Sequence, residues 1–309
     1  MDLDELRVLM DRRAPAGTTE PLPGVFLSRE IRPGDPEAAT TGTTFALITQ
    51  GTKELRLGAE TVVYGPGEYL VTSIDLPVIG RFTEASEQAP ALGFGMTLTA
   101  PAIAELLLSA GTARRVLPVG AAGPGHGPAV PALATSRAPG ELLDAVGRLI
   151  RLLDRPRDLP VLGPMVRREI LWLLVTGPQG DTVRQLGLAG SKLTRVSSVV
   201  QWIRDNSAEP LRVEDLARRA GLSVSAFHRS FRAVTGSSPL QFQKQLRLAT
   251  ARQLLASRNT SVTRVAFDVG YESAAQFNRE YRRLFGAPPG QDTTRLRATA
   301  GAPDARRLP

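Results

Sequence analysis

The apolar residues of the chain follow two different periods along its length. Between Thr43 and Phe94, short apolar runs are separated by turn sequences, and in KELRLG the residues Leu55 and Leu57 alternate with charged neighbours. Alternation with a period of two is typical of half-buried strands, and the GPG at 65–67 is typical of a turn. The N-terminal pattern therefore predicts a small β-sandwich or barrel.

Helical spacing follows on both sides of a segment that is rich in Gly and Pro. A helix is predicted from Pro101 to Ser109, with Thr99 as its cap. The segment 118–140 contains ten Gly or Pro in 23 residues, which favours a linker. Beyond it, apolar residues recur every three or four positions over 142–153 and 165–174, as in amphipathic helices.

One stretch of the C-terminal part occurs twice. AGLSVSAFHRSFRAVTGSSP begins at Ala220, and VGYESAAQFNREYRRLFGAPP begins at Val269. At an offset of 50 the matched pairs are Ser223 and Ser273, Phe227 and Phe277, Arg229 and Arg279, Phe231 and Tyr281, Arg232 and Arg282, Gly236 and Gly286, and Pro239 and Pro289. Each copy contains a helix, a glycine-containing turn, a Ser N-cap, a second helix and a final glycine. This order predicts two helix-turn-helix units.

The second helix of each copy has an apolar face and a polar face. Phe227, Phe231 and Val234, and in the other copy Phe277, Tyr281 and Leu284, are predicted to pack in the core. The opposite face supplies the candidate DNA-binding residues Ser225, His228, Arg229, Arg232, Ala275, Asn278, Arg279 and Arg282. Residues early in such a helix reach base edges, whereas later ones more often meet phosphate. For Arg229 and Arg279, DNA contact is favoured over a role as solvent-exposed charges. For Ser225 and His228, DNA contact and the absence of any role stay equally open.

The segment between the two copies is predicted to be a rigid linker helix. It spans 237–257, with Ser238 as its cap and an apolar seam of Leu248, Ala251 and Leu255. A helix of about 20 residues is roughly 30 Å long, and successive major-groove faces of B-DNA are about 34 Å apart. One polypeptide can therefore place two recognition helices in adjacent grooves.

The charge is distributed unevenly between the two halves. Residues 1–180 contain 17 Lys and Arg against 20 Asp and Glu, whereas 181–309 contain 21 against 10. A basic C-terminal half attached to a mildly acidic one predicts binding to a polyanion. Arg outnumbers Lys 35 to 3 over the whole chain, so the preference for Arg carries no separate information about the ligand.

The composition argues against enzymatic chemistry. The chain has no Cys, and its only histidines are His126, in the Gly/Pro-rich segment, and His228, in a recognition helix. Metal catalysis inside the β domain is therefore not expected. The sequence also lacks a P-loop, a G-x-S-x-G elbow and a G-x-G-x-x-G after a strand. We predict no catalytic residue, no metal, no cofactor and no enzyme.

Two features of the sequence bear on its location. No run of eighteen apolar residues occurs, so no membrane-spanning helix is expected. The N-terminal MDLDELRVLM lacks the basic and then apolar order of a signal peptide. These features predict a cytoplasmic protein.

The repeated segments resemble a known family. The span from about Arg195 to Arg297, with LARRAGLSVSAFHRSFRAVTGSSPLQFQKQLRLATARQLL and VAFDVGYESAAQFNREYRRLFGAPP, resembles the DNA-binding domain of AraC-type transcription regulators. ITQGTKELRLGAETVVYGPGEYLVTSIDLPV and VRREILWLLVTGPQG resemble the subgroup with a cupin-like N-terminal region. The chain departs from this pattern at Ala274 and Ala275, where relatives often carry bulkier or more polar residues, so the DNA sequence recognised cannot be carried over.

The resemblance implies a sequence-specific transcription regulator, with an activator as the expectation. Its implied partners are double-stranded promoter DNA, RNA polymerase, a small organic effector in the N-terminal domain, and a second copy of the chain. An N-terminal domain that only dimerises is the alternative to effector binding. A non-specific basic or architectural DNA-binding protein is the alternative function, although the basic residues follow one repeated helix face instead of a tail.

The sequence thus predicts an α+β multidomain protein, with a cupin-like β-sandwich or barrel followed by an all-α double helix-turn-helix. The expected divisions are a cupin-like effector domain at 1–117, a linker at 118–140, a helical dimerisation or connector region at 141–190, a DNA-binding domain at 191–297 and a flexible tail at 298–309. Within the DNA-binding domain, the helix-turn-helix units are expected at about 212–236 and 261–286.

Overall fold

The computed structural model describes residues 1–57, 60–74, 76–110, 133–188, 192–257 and 260–299. The described part of the N-terminal half begins with helix α1 (Leu3–Arg13) and contains ten strands. The strands are β1 (Gly17–Leu22), β2 (Val25–Glu30), β3 (Glu37–Thr40), β4 (Thr44–Gln50), β5 (Thr52–Leu57), β6 (Glu60–Tyr64), β7 (Glu68–Thr72), β8 (Pro77–Glu84), β9 (Ala91–Thr97) and β10 (Leu133–Arg137).

These strands form two antiparallel sheets. The six-stranded sheet has the order β1-β2-β9-β4-β7-β10, and the four-stranded sheet has the order β3-β8-β5-β6. In β5, Leu55 and Leu57 are buried and their neighbours are half-buried, as their alternation predicted. The predicted cupin-like β domain is confirmed.

Strand β10 lies within the segment predicted as a linker, and that part of the prediction was wrong. Leu133 pairs with Thr72 and Arg137 pairs with Glu68, so the strand completes the edge of the six-stranded sheet. The Gly and Pro residues concentrate at the two sides of LATSR. LATSR itself has neither, so its alternate backbone N–H groups are free to pair with β7. The remainder of the prediction at 118–132 lies outside the described residues.

Helix α1 packs on the six-stranded sheet, and four further helices share the core beneath it. They are α2 (Ala100–Ser109), α3 (Gly140–Leu152), α4 (Leu159–Thr176) and α5 (Gly180–Gly187). Thr99 occupies the predicted N-cap position of α2, although its side chain makes no capping hydrogen bond. Phe45 and Phe94 from the sheet, Leu149 from α3 and Ile170 from α4 are buried in one common core.

The described residues of the C-terminal half form seven further helices. They are α6 (Lys192–Asp205), α7 (Val213–Arg219), α8 (Val224–Thr235), α9 (Pro239–Ser257), α10 (Val262–Asp268), α11 (Ala274–Phe285) and α12 (Pro289–Thr299). Helices α7 and α8 form the first helix-turn-helix, α10 and α11 form the second, and α9 joins them. Leu248, Ala251 and Leu255 of α9 are buried against the second unit. The predicted double helix-turn-helix is confirmed.

The four-stranded sheet packs against this helical half. The Arg56 Nη2 donates to the Leu284 carbonyl at 2.9 Å, and the Arg252 Nη1 donates to the Pro36 carbonyl at 2.6 Å. A Cβ atom on Gly236, at the end of α8, would lie 3.8 Å from the Leu57 side chain. The sheet therefore contacts α9 and the C-terminal ends of α8 and α11. Among the described helices, none is both long enough and apolar enough to cross a membrane.

Candidate DNA-binding interface

Both recognition helices begin and end in the same way. The Ser223 hydroxyl accepts a hydrogen bond from the Ala226 N–H at 3.3 Å, and Ser273 does the same for Gln276 at 3.4 Å. Each helix ends at a glycine in the left-handed region, with φ of 69° at Gly236 and 80° at Gly286. A residue with a Cβ atom is strained at such a φ, which explains the repeated glycine.

The buried aromatic side chains hold each recognition helix against its own unit. Phe227, Phe231, Phe277 and Tyr281 have no exposed surface. The Phe231 ring meets Phe242 of α9 edge to face, with ring centroids 5.5 Å apart. These contacts confirm the predicted core face and fix the rotation of each helix about its axis, so the opposite face points outward.

The eight predicted site residues all lie on that outward face. Exposed side chains are Ser225, His228, Arg229 and Arg232 on α8, and Ala275, Asn278, Arg279 and Arg282 on α11. Within the part of the chain that the structure describes, none of these four arginines takes part in an ion pair. Their guanidinium groups are therefore available to an external anion, and their contact with DNA stays a prediction.

A buried charged network, which the sequence reasoning missed, supports the second recognition helix. Asp292 of α12 accepts from the Arg252 Nε at 2.8 Å and from the Tyr281 hydroxyl at 2.8 Å. Arg252 is 5% exposed, Asp292 is 1% exposed, and the Arg252 guanidinium lies over the Phe285 ring. Burial raises the pKa of the Tyr281 hydroxyl, which keeps it a donor. The network ties α9, α11 and α12 together.

Arg247 fixes the joint between the two units. Its Nε donates to the Ser207 carbonyl at 2.6 Å, and its Nη1 donates to the Gly270 carbonyl at 2.7 Å. Ser207 follows α6 beside the first unit, and Gly270 lies in the turn of the second. Burial lowers the pKa of the Arg247 guanidinium, while nearby Tyr271, Glu272, Glu209 and Glu280 act in the opposite direction. One side chain of the linker helix thus joins the segment that leads into the first unit to the turn of the second.

A cleft in the N-terminal half is a candidate site for a small molecule. It has a volume of about 470 Å³ and opens between the end of β9, α2 and α4, a size common for ligand sites. Its walls include Met96, Leu98, Pro164 and Leu171, with Arg167 as a half-buried cation. Burial lowers the pKa of Arg167. Across the described ranges, no group of three or more His, Asp or Glu side chains is arranged to hold a metal ion.

The architecture defines a class of protein in which a cupin-like β domain is followed along the chain by two matched helix-turn-helix units that one rigid helix joins. The family model for the AraC-type transcriptional regulator N-terminus matches residues 21–182, which is more than half of the chain. A helix-turn-helix domain model matches residues 216–295. The chain belongs to the AraC-type transcriptional regulators.

Individual relatives agree with this assignment. The HTH-type transcriptional activator RhaS of Escherichia fergusonii is 32% identical over 150 residues, which cover 48% of this chain and 52% of that protein. RhaS of Salmonella typhimurium is 29% identical over 150 residues, with 48% and 53% covered. The chain thus spans about half the length of these curated relatives.

A solved structure shares the overall fold. The apo form of a single-residue variant of ToxT from Vibrio cholerae aligns with a TM-score of 0.52, covering 91% of this chain and 100% of that one. The two sequences are 8% identical, so the likeness concerns the fold alone.

Proposed function

We propose that the protein is a sequence-specific regulator of transcription that binds double-stranded promoter DNA through α8 and α11 in adjacent major grooves. The observation that carries this proposal is the pair of exposed, matched polar faces on two capped helices of one rigid frame. Helix α9 has 19 residues, so it is about 28 Å long. That length approaches the roughly 34 Å between successive major-groove faces on one side of B-DNA.

The exposed side chains divide by the contact that each can make. Arg229 and Arg279 suit bidentate donation to guanine, and Asn278 suits adenine. The Ala275 methyl suits the thymine methyl group. Arg232 and Arg282 lie one turn further along their helices and suit phosphate. Ser225 and His228, near the start of α8, supply further polar contacts to bases or phosphate.

The remaining parts of the proposal concern partners. RhaS, a relative over about half its length, is a transcriptional activator by name, which supports activation through contact with RNA polymerase in the cytoplasm. A small organic effector would bind the N-terminal half, and the helical region at 141–190 would support a homodimer. The packing of the four-stranded sheet on α9 and α11 supports a link between effector and DNA.

The proposal is tested by selection of genomic DNA fragments with the full chain at low and near-physiological salt. Non-specific binding is mainly electrostatic and falls steeply as salt rises, whereas specific sites persist. We expect a motif of two half-sites about one helical turn apart. Binding without any motif at either salt would favour a non-specific architectural protein instead.

Arg229→Ala and Arg279→Ala are each expected to weaken binding to the selected site by about 1–3 kcal/mol and to relax specificity at one base position. The reason is the loss of a bidentate base contact from an exposed, unpaired guanidinium. Titration of labelled duplexes with single-base changes measures both effects. Arg32→Ala, at an exposed arginine of the N-terminal half, is the matched control and should leave affinity unchanged. Unaltered affinity in both recognition-helix variants would contradict the assignment.

A further inference from the structure

The two helix-turn-helix units have separate buried cores that meet along α9. Phe242 and Leu246 of α9 are buried in the core that contains the first unit, whereas Leu248 is buried in the core of the second. Among the described residues, no buried side chain belongs to both cores. Helix α9 passes from one core to the other between Leu246 and Leu248, and the residue at that point is Arg247. Apolar packing alone therefore does not fix the second unit relative to the first.

Polar contacts from α9 hold the segment that leads into the first unit. The Gln243 Nε2 donates to the Ser207 and Glu209 carbonyls at 3.0 and 2.6 Å. The Arg247 Nη2 donates to the Ala208 and Glu209 carbonyls at 3.0 and 3.1 Å. The same guanidinium also donates to a carbonyl in the turn of the second unit. Hydrogen bonds from a charged donor are stronger than neutral ones, so Arg247 is a strong polar link between the two units.

The turn of the second unit also touches this segment directly. A Cβ atom on Gly270 would lie 2.2 Å from the Ala208 carbonyl oxygen, so a larger residue would push the turn away. At the matched Gly221 of the first unit, no described atom lies within 4 Å of such a Cβ. Both glycines have a positive φ, 87° at Gly270 and 64° at Gly221. The close approach is therefore particular to the second unit, and together with the contacts of Arg247 it forms the joint between the units.

The β domain holds a different side of α9. Gln243 and Arg247 are four residues apart and lie on one face of the helix. Gln245 and Ala249 lie about half a turn from that face, and they line a small cavity together with Ile79 of β8. Contacts with the β domain therefore cannot replace the joint.

We propose that Arg247 is a positioning residue that keeps α8 and α11 at one separation and thereby sets the spacing between half-sites that the protein accepts. This inference rests on the proposed binding of DNA through both recognition helices. One added base pair moves a half-site by about 3.4 Å along the DNA axis and turns it by about 35°. A frame whose two units cannot shift binds such a site well with one helix only. Units that can shift lose less affinity.

The first measurement concerns the separation of the recognition helices without DNA. Because the chain has no Cys, two substitutions are enough to place a pair of spin labels on the full chain. Ala233→Cys on α8 and Arg283→Cys on α11 change exposed, matched positions outside the proposed set of DNA contacts. Double electron–electron resonance should give one narrow distance distribution for this labelled protein. Adding Arg247→Ala or Gly270→Ala should broaden the distribution, whereas Gly221→Ala, the matched control, should leave it narrow.

The second measurement concerns DNA. Affinities of the unlabelled full chain are compared for the selected site, for derivatives with one base pair added or removed between the half-sites, and for a duplex with one half-site only. The unmodified protein should bind the altered spacings at least about tenfold more weakly than the selected site. In Arg247→Ala this factor should fall to about threefold or less. Arg247→Lys keeps the charge with fewer donors and should retain part of the preference.

The duplex with one half-site separates positioning from a loss of folding. Arg247→Ala should bind it as the unmodified protein does, because Arg247 lies on neither recognition face. An equal loss of affinity for every duplex, with the spacing preference unchanged, would overturn the inference, as would a distance distribution no broader than that of the labelled protein. If Arg247→Ala does not fold, the pair Gly270→Ala and Gly221→Ala decides in the same two measurements. Failure to select any motif contradicts the proposed function, whereas the distance distribution still shows whether Arg247 holds the two units.

Discussion

Replacement of Asp292 by alanine is expected to destabilise the second helix-turn-helix by about 3–5 kcal/mol, because it leaves a buried charge without its partner. Arg252 is 5% exposed and would keep its guanidinium in the protein interior. The Tyr281 hydroxyl would lose its acceptor as well. The loss should concentrate in α9, α11 and α12, which amide hydrogen exchange of the full chain can resolve by helix.

A surface ion pair provides the control for this experiment. Asp268→Ala removes an exposed partner of Arg264 at 3.0 Å on α10, and such pairs contribute less than about 1 kcal/mol. Combining Arg252→Met with Asp292→Leu should recover much of the stability, since an apolar pair needs no compensation. A loss for Asp292→Ala no greater than that for Asp268→Ala would show that the buried network contributes little.

Lys53→Met is expected to stabilise the protein by about 3 kcal/mol near neutral pH. Burial lowers the pKa of Lys53 from its ordinary 10.5 to about 8, and a pKa difference of one corresponds to about 1.4 kcal/mol. At pH 7 the folded protein holds an ammonium in an environment that disfavours it, and methionine fills the same volume without a charge. Chemical denaturation of both proteins measures the difference.

The pH dependence of that difference identifies its cause. Between about pH 8 and 10.5 the unfolded chain keeps a proton on Lys53 that the folded chain has released. The stability of the unmodified protein relative to Lys53→Met therefore rises with pH through this window, and the advantage of methionine shrinks. Tyr64 is common to both proteins and cancels in the comparison. A difference that stays constant from about pH 7 to 10 would mean that Lys53 imposes no electrostatic cost.

Local patterns in the sequence were sufficient to predict the recognition helices. The Ser223 and Ser273 caps, the glycines that end each helix, and the aromatic stripe depend on residues within about one helix length of each other. The spacing of residues along the chain is enough to identify such features. The positions of the two recognition helices and their outward faces could therefore be predicted before any tertiary contact was known.

Features that depend on distant pairings could not be predicted in this way. Arg252 and Asp292 are 40 positions apart, and no local pattern marks them as partners. The alternation that placed Leu55 and Leu57 inside the β domain also places Lys53 there. Because lysine is a charged residue, the apolar pattern did not identify it as buried. Arg56 alternates outward as expected for a solvated residue, yet its Nη2 lies against Leu284 of the other half.

The contacts of the four-stranded sheet can affect how the two recognition helices are placed relative to each other. The sheet touches the end of α8 near Gly236, the end of α11 at Leu284, and α9 at Arg252. All three contacts lie away from the exposed residues of the recognition helices. If the sheet moved, the angle and distance between α8 and α11 would change, whereas the exposed side chains of each recognition helix would stay the same. The protein would then bind promoters with a different spacing between the two half-sites, while the bases recognised in each half-site would stay the same.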